Sequence, residues 1–302
     1  MSEQRDAVDD KRVVLITGSS TGFGRLISTT LARRGYRVFA SMRDIAGRNR
    51  DHAVELEELG HKENLRLKVV ELDVTKDVSV DQAVKLVIDD AGMIDIVVNN
   101  AGIAYSGLTE AFTVEQAKQI FETNFFGVLR VNRAVLPYMR PRGHGLLIHV
   151  SSLAGRLVLP SLGIYCATKF ALEAMSETLR YELSQVGIDS ITIGPGPYPT
   201  AIFGSAVYAA DTARAKEYGA VAEVPTKVKE ALSSAQTNSQ DVADRILQLI
   251  EMPAGTRPVR CFVGMEQFQP VNDVALQYQT AGMQTFGLSE LMTLRRTKGQ
   301  VA

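Results

Sequence analysis

The sequence has few residues of the kinds that bind metals or form disulfide frameworks. Its 302 residues include two cysteines and four histidines. Cys166 and Cys261 form no CxxC pair, and the histidines form no HExxH or HxH set. Zinc sites need closely spaced Cys and His ligands, so we expect no metal site. Isolated thiols are typical of a reducing cytoplasm.

The chain also lacks a large excess of one charge and lacks long apolar runs. Its formal net charge is −1, from 33 basic and 34 acidic residues, which gives no general attraction to nucleic acid or to an anionic membrane. No apolar run approaches the roughly 18 residues of a membrane span. Residues 1–11 are polar and acidic, unlike a signal peptide, and we expect a frayed tail there. The sequence therefore predicts a cytoplasmic protein with neither nucleic-acid nor membrane partners.

Short apolar runs alternate with amphipathic, helix-like stretches along most of the chain. The predicted strands are residues 13–16, 37–41, 65–72, 94–98, 146–150, 188–193 and 259–263. The two longest helical patterns cover residues 114–139 and 165–185. This alternation predicts an α/β fold: a single doubly wound Rossmann-type domain over residues 12–265, with a mostly parallel central sheet of about seven strands.

Two parts of the chain depart from the alternation. Residues 195–240 interrupt it, and a connection of that length is typical of a lid over a substrate. Residues 266–302 form a C-terminal extension that is too weakly periodic for us to assign.

Three glycines lie between the first predicted strand and the helix that follows it. Glycine allows a tight turn and a close approach of the backbone to a pyrophosphate, and the helix N-terminus adds free N–H groups. The spacing is GxxxGxG, which differs from the common GxGxxG fingerprint. Taken alone, the segment could also be an ordinary glycine-rich turn. The candidate phosphate-binding residues are Gly18, Ser20, Thr21, Gly22, Phe23 and Gly24.

The end of the second predicted strand is where dinucleotide folds place an acidic ligand of the adenosine ribose. Met42 occupies this place and Arg43 follows it. A guanidinium can bind a 2′-phosphate through two hydrogen bonds, which favours NADP(H) over NAD(H). In the alternative, Arg43 is a solvated loop charge and Asp44 holds the ribose of NAD.

Tyr165, Lys169 and Ser152 have the spacing of a proton-transfer site. Tyr165 and Lys169 are four residues apart at the start of a predicted helix, so they share one face. Ser152 follows a buried strand, at the sheet edge where open α/β folds bind ligands. An ammonium about 4 Å away, at an effective dielectric of about 20, supplies about 4 kcal/mol. That energy corresponds to a shift of about three pKa units, so we expect Lys169 to lower the pKa of Tyr165.

Each of these three residues also has a simpler interpretation. A Tyr and a Lys four residues apart on a helix often form a surface pair, and a Ser after a strand often only caps a turn. In the proton-transfer interpretation, Ser152 hydrogen-bonds the carbonyl oxygen of a substrate and orients it.

The combination of these motifs resembles the short-chain dehydrogenase/reductase family over about residues 12–265. Ser152, Tyr165 and Lys169 match its Ser-Tyr-x-x-x-Lys signature. The family's N-N-A-G motif resembles the segment Asn99, Asn100, Ala101 and Gly102. Its D-V pair resembles Asp73 and Val74, and its helix asparagine resembles Asn124. Its P-G-x-x-x-T segment resembles the one with Pro195, Gly196 and Thr200.

The resemblance implies an oxidoreductase that moves a hydride between NADP(H), or less favourably NAD(H), and a ketone or secondary alcohol. It implies a catalytic tetrad of Asn124, Ser152, Tyr165 and Lys169, of which Tyr165 is the general acid and base. It also implies cofactor contacts from the motif residues, including Tyr165 and Lys169 themselves. Family members assemble through two long helices, so a homodimer or homotetramer is expected.

The substrate is the least determined part of this interpretation. Apolar and aromatic residues near the lid, including Phe203, Tyr208 and Tyr218, favour a medium-sized, partly apolar small molecule. The same residues could instead pack on the sheet or on a neighbouring subunit. The alternative functions are a non-catalytic NADP-binding sensor or scaffold and an epimerase or dehydratase of the same superfamily.

Overall fold

The computed structural model describes residues 12–198 and 206–295. Residues 1–11 and Thr200 therefore lie outside the described residues. The strands of the central sheet are β1 (Val13–Ile16), β2 (Arg37–Met42), β3 (Leu67–Glu71), β4 (Ile96–Asn99), β6 (Gly145–Val150), β7 (Ile188–Pro195) and β9 (Arg260–Val263). Two short strands, β5 (Tyr105–Ser106) and β8 (Val207–Tyr208), pair with each other apart from this sheet.

The seven central strands are all parallel and lie in the order β3-β2-β1-β4-β6-β7-β9. Every residue of β1, β4, β6, β7 and β9 is buried, as expected for strands covered by helices on both faces. The chain winds outwards from β1 to β3 and then returns to β4 on the other side of β1. The predicted doubly wound α/β fold is confirmed, and this reversal opens a crevice at the carboxyl ends of β1 and β4.

Helices pack on both faces of the sheet. They are α1 (Gly22–Arg33), α2 (Arg50–Lys62), α3 (Asp77–Ala91), α4 (Val114–Phe121), α5 (Gly127–Met139), α6 (Gly163–Ser184), α7 (Thr212–Lys216), α8 (Val224–Ser233), α9 (Gln240–Glu251) and α10 (Gln269–Thr285). Ile27 of α1 and Ile246 of α9 belong to one apolar core, and Val84 of α3 and Val131 of α5 belong to the other. Each such side chain contributes about 1.5–3 kcal/mol on burial.

The helical pattern over residues 114–139 is not a uniform helix. A π-helical turn, Glu122–Phe126, joins α4 to α5. Single π turns occur often at functional sites, because the wider turn redirects a side chain. Here the turn contains the buried Asn124.

The connection between β7 and α9 folds onto the segment that follows β4. Its strand β8 pairs with β5, and Gln116 of α4 donates to the carbonyl oxygen of Tyr208 at 2.9 Å. The side-chain oxygen of Gln116 accepts from the N–H of Ala210 at 3.1 Å. Val228 and Leu232 of α8 pack against the apolar cluster around Tyr165. The described part of the connection is therefore attached to β5 and α4, in the segment that follows β4.

The C-terminal extension, which the sequence left unassigned, forms the helix α10. Only Asn272 and Met283 of this helix are buried, which explains its weak apolar periodicity. The following segment attaches to the end of α6, where the N–H of Arg295 donates to the carbonyl oxygen of Ser184 at 2.9 Å. Within residues 12–198 and 206–295, no helix is both long enough and apolar enough to cross a membrane.

Candidate functional site

A cavity of about 400 Å³ opens at the carboxyl ends of β1 and β4. Gly24 and Asn124 do not line it. The predicted site residues that line it are Gly18, Ser20, Thr21, Gly22, Phe23, Arg43, Asp73, Val74, Asn100, Ala101, Gly102, Ser152, Tyr165, Lys169, Pro195 and Gly196. The structure thus brings residues from seven separate segments to one sheet edge.

The glycine-rich turn gives the cavity a floor made of backbone. Gly18 and Gly22 have φ angles of 70° and 55°, in the left-handed region that favours glycine. A Cβ atom on Gly18 would lie 2.9 Å from the Cα atom of Ala101. The side chain of Thr21 does not cap α1, so the first N–H groups of this helix are available to an anion.

Hydrogen bonds between Thr17 and Asn100 fix the turn against the end of β4. The Asn100 side-chain amide donates to the carbonyl oxygens of Thr17 at 2.8 Å and of Gly18 at 3.0 Å. The Thr17 hydroxyl accepts from the N–H groups of Asn100 and Ala101, both at 3.0 Å. The two walls of the crevice are therefore held in fixed register.

Gly24, predicted as a cofactor residue, has a packing role. A Cβ atom there would lie 2.1 Å from the carbonyl oxygen of Gly18 and 2.5 Å from the side-chain nitrogen of Asn100. Only glycine lets the first turn of α1 approach the end of β1 this closely.

Ser152 lies directly beyond β6, with its side chain in the cavity wall. Its hydroxyl oxygen accepts from the N–H of Ala154 at 3.1 Å and caps a short 3-10 turn, so the capping interpretation is also correct. The same hydroxyl hydrogen-bonds Tyr165. Capping fixes the position of the oxygen beside the phenol.

Tyr165 is almost fully buried on the first turn of α6, with 6% of its surface exposed. Burial raises the pKa of its hydroxyl to about 12, and the hydrogen bond with Ser152 offsets only part of this increase. This direction is opposite to the one expected from the sequence. The residue spacing indicates the neighbouring ammonium, but it does not show that the phenol loses hydration on burial, which raises its pKa.

Lys169 is also buried, one turn further along α6. Its amine donates to the carbonyl oxygen of Val150 at 3.0 Å and lies 5.8 Å from the centre of the Tyr165 ring. Burial lowers the pKa of Lys169 to about 8, and the charge of Glu173 acts in the opposite direction. The amine is thus placed between the end of β6 and the phenol.

Asn124 joins the π-helical turn to the segment after β4. Its side-chain oxygen accepts from the N–H of Ile103 at 2.9 Å, and its nitrogen donates to the Ile103 carbonyl oxygen at 3.0 Å. A Cβ atom on Gly102 would lie 3.4 Å from the Asn124 oxygen and 3.9 Å from the Lys169 amine. Asn124 therefore supports the wall beside the lysine from behind.

Several cavity residues were missed in the sequence analysis, among them Arg48, Asn49 and Tyr198. Tyr198 packs edge-to-face against Phe23, with ring centres 5.5 Å apart, and closes the end of the cavity near the glycine-rich turn. Its position directly after Pro195, Gly196 and Pro197 was the only feature of the sequence that could have indicated a place in the cavity. Arg48 and Asn49 lie beyond a turn whose shape the sequence pattern does not predict.

No group of three or more His, Cys, Asp or Glu side chains is placed to bind a metal within the part of the chain that the structure describes.

Comparisons with known proteins agree with this geometry. The sequence model of the family described as short chain dehydrogenase matches residues 12–210. An uncharacterized oxidoreductase, YusZ of Bacillus subtilis, is 38% identical over 254 residues, which are 80% of this chain and 85% of that protein. Human retinol dehydrogenase 8 is 34% identical over 259 residues, covering 82% of this chain and 79% of that protein.

A solved structure shows the same fold with a nucleotide bound. It is an alcohol dehydrogenase from Thermococcus sibiricus in complex with 5-hydroxy-NADP, with 26% identity and a TM-score of 0.67. The alignment covers 83% of this chain and 95% of that one.

Proposed function

Because the chain belongs to the short-chain dehydrogenase family and is an oxidoreductase with a nicotinamide cofactor, we propose that it reduces or oxidises a medium-sized, partly apolar substrate. The substrate pair is a ketone and its secondary alcohol, the preferred cofactor is NADP(H), and Tyr165 is the general acid and base. The observation that carries this proposal is the convergence of Tyr165, Ser152 and Lys169 on one wall of the cavity.

The residues of the cavity fit a dinucleotide. The glycine-rich turn offers backbone N–H groups and a helix N-terminus to a pyrophosphate. Asp73 and Val74 would face the adenine. Pro195 is the last residue of β7 and Gly196 follows it, near Ser152. When bound, the nicotinamide supplies the hydride for reduction or accepts it in oxidation.

The proton step follows from the protonation state of Tyr165. With its pKa near 12, the phenol is protonated at neutral pH and can donate to a carbonyl oxygen. As hydride reaches the carbonyl carbon, the C=O π electrons move to oxygen and the O–H bond of Tyr165 transfers its proton there. Ser152 holds that oxygen by a hydrogen bond. The Lys169 ammonium stabilises the phenolate that remains.

The reverse reaction uses the same three groups. A phenolate at Tyr165 accepts the hydroxyl proton of the alcohol, and Lys169 lowers the energy of that phenolate. Burial opposes this ionisation, so stabilisation of the phenolate by Lys169 is needed for proton acceptance at neutral pH.

Exposed apolar side chains in the segments after Ser152 support a partly apolar substrate. Val158 and Leu159 lie between Ser152 and Tyr165 and are 74% and 39% exposed. Val207 and Tyr208 of the β7–α9 connection are also exposed. This supports the role of residues 195–240 as a lid. Human retinol dehydrogenase 8 is named for an alcohol, which supports oxidoreduction at an alcohol group.

A turnover assay with purified protein tests this proposal. The near-ultraviolet absorbance of NADPH is followed with a panel of ketones of increasing size, alongside a panel of aldehydes and carboxylic acids. We expect the NADPH absorbance to fall only when a ketone is present, and to fall fastest with apolar ketones. Binding of NADPH without turnover of any carbonyl compound would contradict the catalytic role.

A further inference from the structure

The turn between β2 and α2 is held in one shape by the carboxylate and carbonyl groups of Asp44. This residue has a φ angle of 55°, unusual for a residue other than glycine. Its carboxylate accepts from the N–H of Arg48 at 3.1 Å. Its carbonyl oxygen accepts from the N–H groups of Gly47 at 3.2 Å and of Asn49 at 3.0 Å. The turn is thus closed on itself around Asp44.

Neighbouring residues anchor the turn to the sheet. The carboxylate of Glu71, the last residue of β3, accepts from the N–H groups of Asp44 at 2.7 Å and of Ile45 at 2.8 Å. The Asn49 side chain donates to the carbonyl oxygen of Arg43 at 2.5 Å. The turn therefore has a defined position relative to β2 and β3 before any ligand binds.

This arrangement places two arginine side chains at the same end of the cavity. Arg43 and Arg48 both line it, and neither forms an ion pair with any residue that the structure describes. The two guanidinium groups are close enough to interact: the pKa of Arg43 is lowered first by burial and then by the charge of Arg48. Asp73 lies on the opposite wall and acts on Arg43 in the other direction.

Asp44, by contrast, does not line the cavity. Its carboxylate is used within the turn, on the N–H of Arg48. The alternative in which Asp44 holds the ribose of NAD would need that carboxylate to leave the turn.

We propose that Arg48 is a second ligand of the 2′-phosphate of NADP(H), beside Arg43, and that Asp44 and Glu71 position the two arginines. Two cations held side by side are unfavourable unless an anion lies between them, and a phosphate monoester carries close to two negative charges at neutral pH. Guanidinium groups suit this role because they bind phosphate oxygens through paired hydrogen bonds. The inference rests on the proposed choice of NADP(H) as cofactor.

Binding measurements without substrate test the ligand role of Arg48. Dissociation constants for NADPH and NADH are measured from the fluorescence of the bound dihydronicotinamide, since the chain contains no tryptophan. We expect Arg48→Ala to weaken NADPH about tenfold and to leave NADH unchanged. Arg50→Ala, on the exposed start of α2 and outside the cavity, is the matched control and changes neither constant.

The wild-type protein separates failure of this inference from failure of the proposed cofactor. If wild type binds NADH as tightly as NADPH, the proposed preference is wrong. If wild type prefers NADPH but Arg48→Ala keeps the same ratio of constants while Arg43→Ala loses it, only the role of Arg48 is wrong.

The positioning role has its own variant. A Cβ atom on Gly47 would lie 2.3 Å from a carboxylate oxygen of Asp44, so Gly47→Ala displaces this carboxylate from the turn. We expect the ratio of the NADPH and NADH constants to fall toward that of Arg48→Ala, with thermal stability measured in parallel. An unchanged ratio would overturn the positioning role of Asp44.

Discussion

At the scale of single residues, the burial of Tyr165 determines the protonation state of its phenol at neutral pH. A phenol with a pKa near 12 holds its proton through the neutral range and is a donor rather than a base. Lys169 and Ser152 are the neighbouring groups that can stabilise the ionised form of this phenol. The chemistry therefore depends on three side chains from two adjacent segments.

Tyr165→Phe removes the proton donor and keeps the ring. We expect turnover to fall by about 10²–10⁴-fold, the usual contribution of general acid catalysis, while NADPH still binds. Steady-state rates and the dissociation constant of NADPH check this together. A variant with near wild-type turnover would remove Tyr165 from the mechanism.

The pH dependence of ketone reduction should reflect the protonation state of Lys169. Because burial lowers the pKa of this amine to about 8, the ammonium is present below that pH and is lost above it. We expect kcat/KM for ketone reduction to fall as the pH rises through about 8. Lys169→Met serves as the comparison, because it should lose both most of the activity and this inflection.

Much of the site could be predicted from residue identities and spacing, because Tyr165, Lys169 and Ser152 are fixed by one helix turn and one strand end. The pKa direction of Tyr165 could not, since burial depends on packing by distant segments. Arg48 was missed because it lies five positions after Arg43, and the turn between them closes only through Asp44 and Glu71.

At the scale of secondary-structure elements, the π-helical turn provides a side-chain contact that a regular helix would not provide. It holds the Asn124 side chain against both the N–H and the carbonyl group of Ile103. These are the backbone groups of the residue that follows Gly102 in the cavity wall. The turn therefore braces the N-N-A-G segment from the side opposite the cofactor cavity.

Asn124→Ala should destabilise the protein because it leaves buried polar groups of Ile103 without partners. We expect a loss of about 1–3 kcal/mol in the free energy of unfolding, measured by urea denaturation. Glu115→Ala, on the exposed surface of α4, should change it by less than about 0.5 kcal/mol. Equal effects of the two variants would argue against this bracing role.

The central strands were the most predictable elements, because buried parallel strands form continuous apolar runs with little alternation. The structure shifts their ends by at most two residues. The π turn was not predictable, since its apolar residues continue the pattern of the flanking helices. Helix α10 was left unassigned because it buries only two residues, so no apolar stripe marks it.

At the scale of the whole molecule, exposed aromatic rings on the long helical segments support the proposed homo-oligomer. Phe126 on the π turn, Tyr138 on α5 and Phe170 on α6 are 42%, 41% and 38% exposed. Exposed apolar side chains mark an association surface where they lie together in one patch, and we propose this arrangement for the three rings.

Phe170→Asp should dissociate such an oligomer, because it places a charge in an apolar interface. Size-exclusion chromatography with light scattering gives the mass of each form. Val54→Asp, at a position on α2 with a similar exposure of 44%, is the control and should leave the mass unchanged. A monomeric wild-type protein would contradict the proposed assembly.

The pairing of β5 with β8 joins segments about one hundred residues apart in sequence. Tyr105 of β5 belongs to the same buried apolar cluster as Tyr165, and Ala206, directly before β8, packs against that cluster. A substitution in this small sheet therefore reaches the packing around the proton-transfer residue. Variants of β5 or β8 that widen the substrate range are thus expected to change the surroundings of the phenol as well, so the two properties are coupled in this chain.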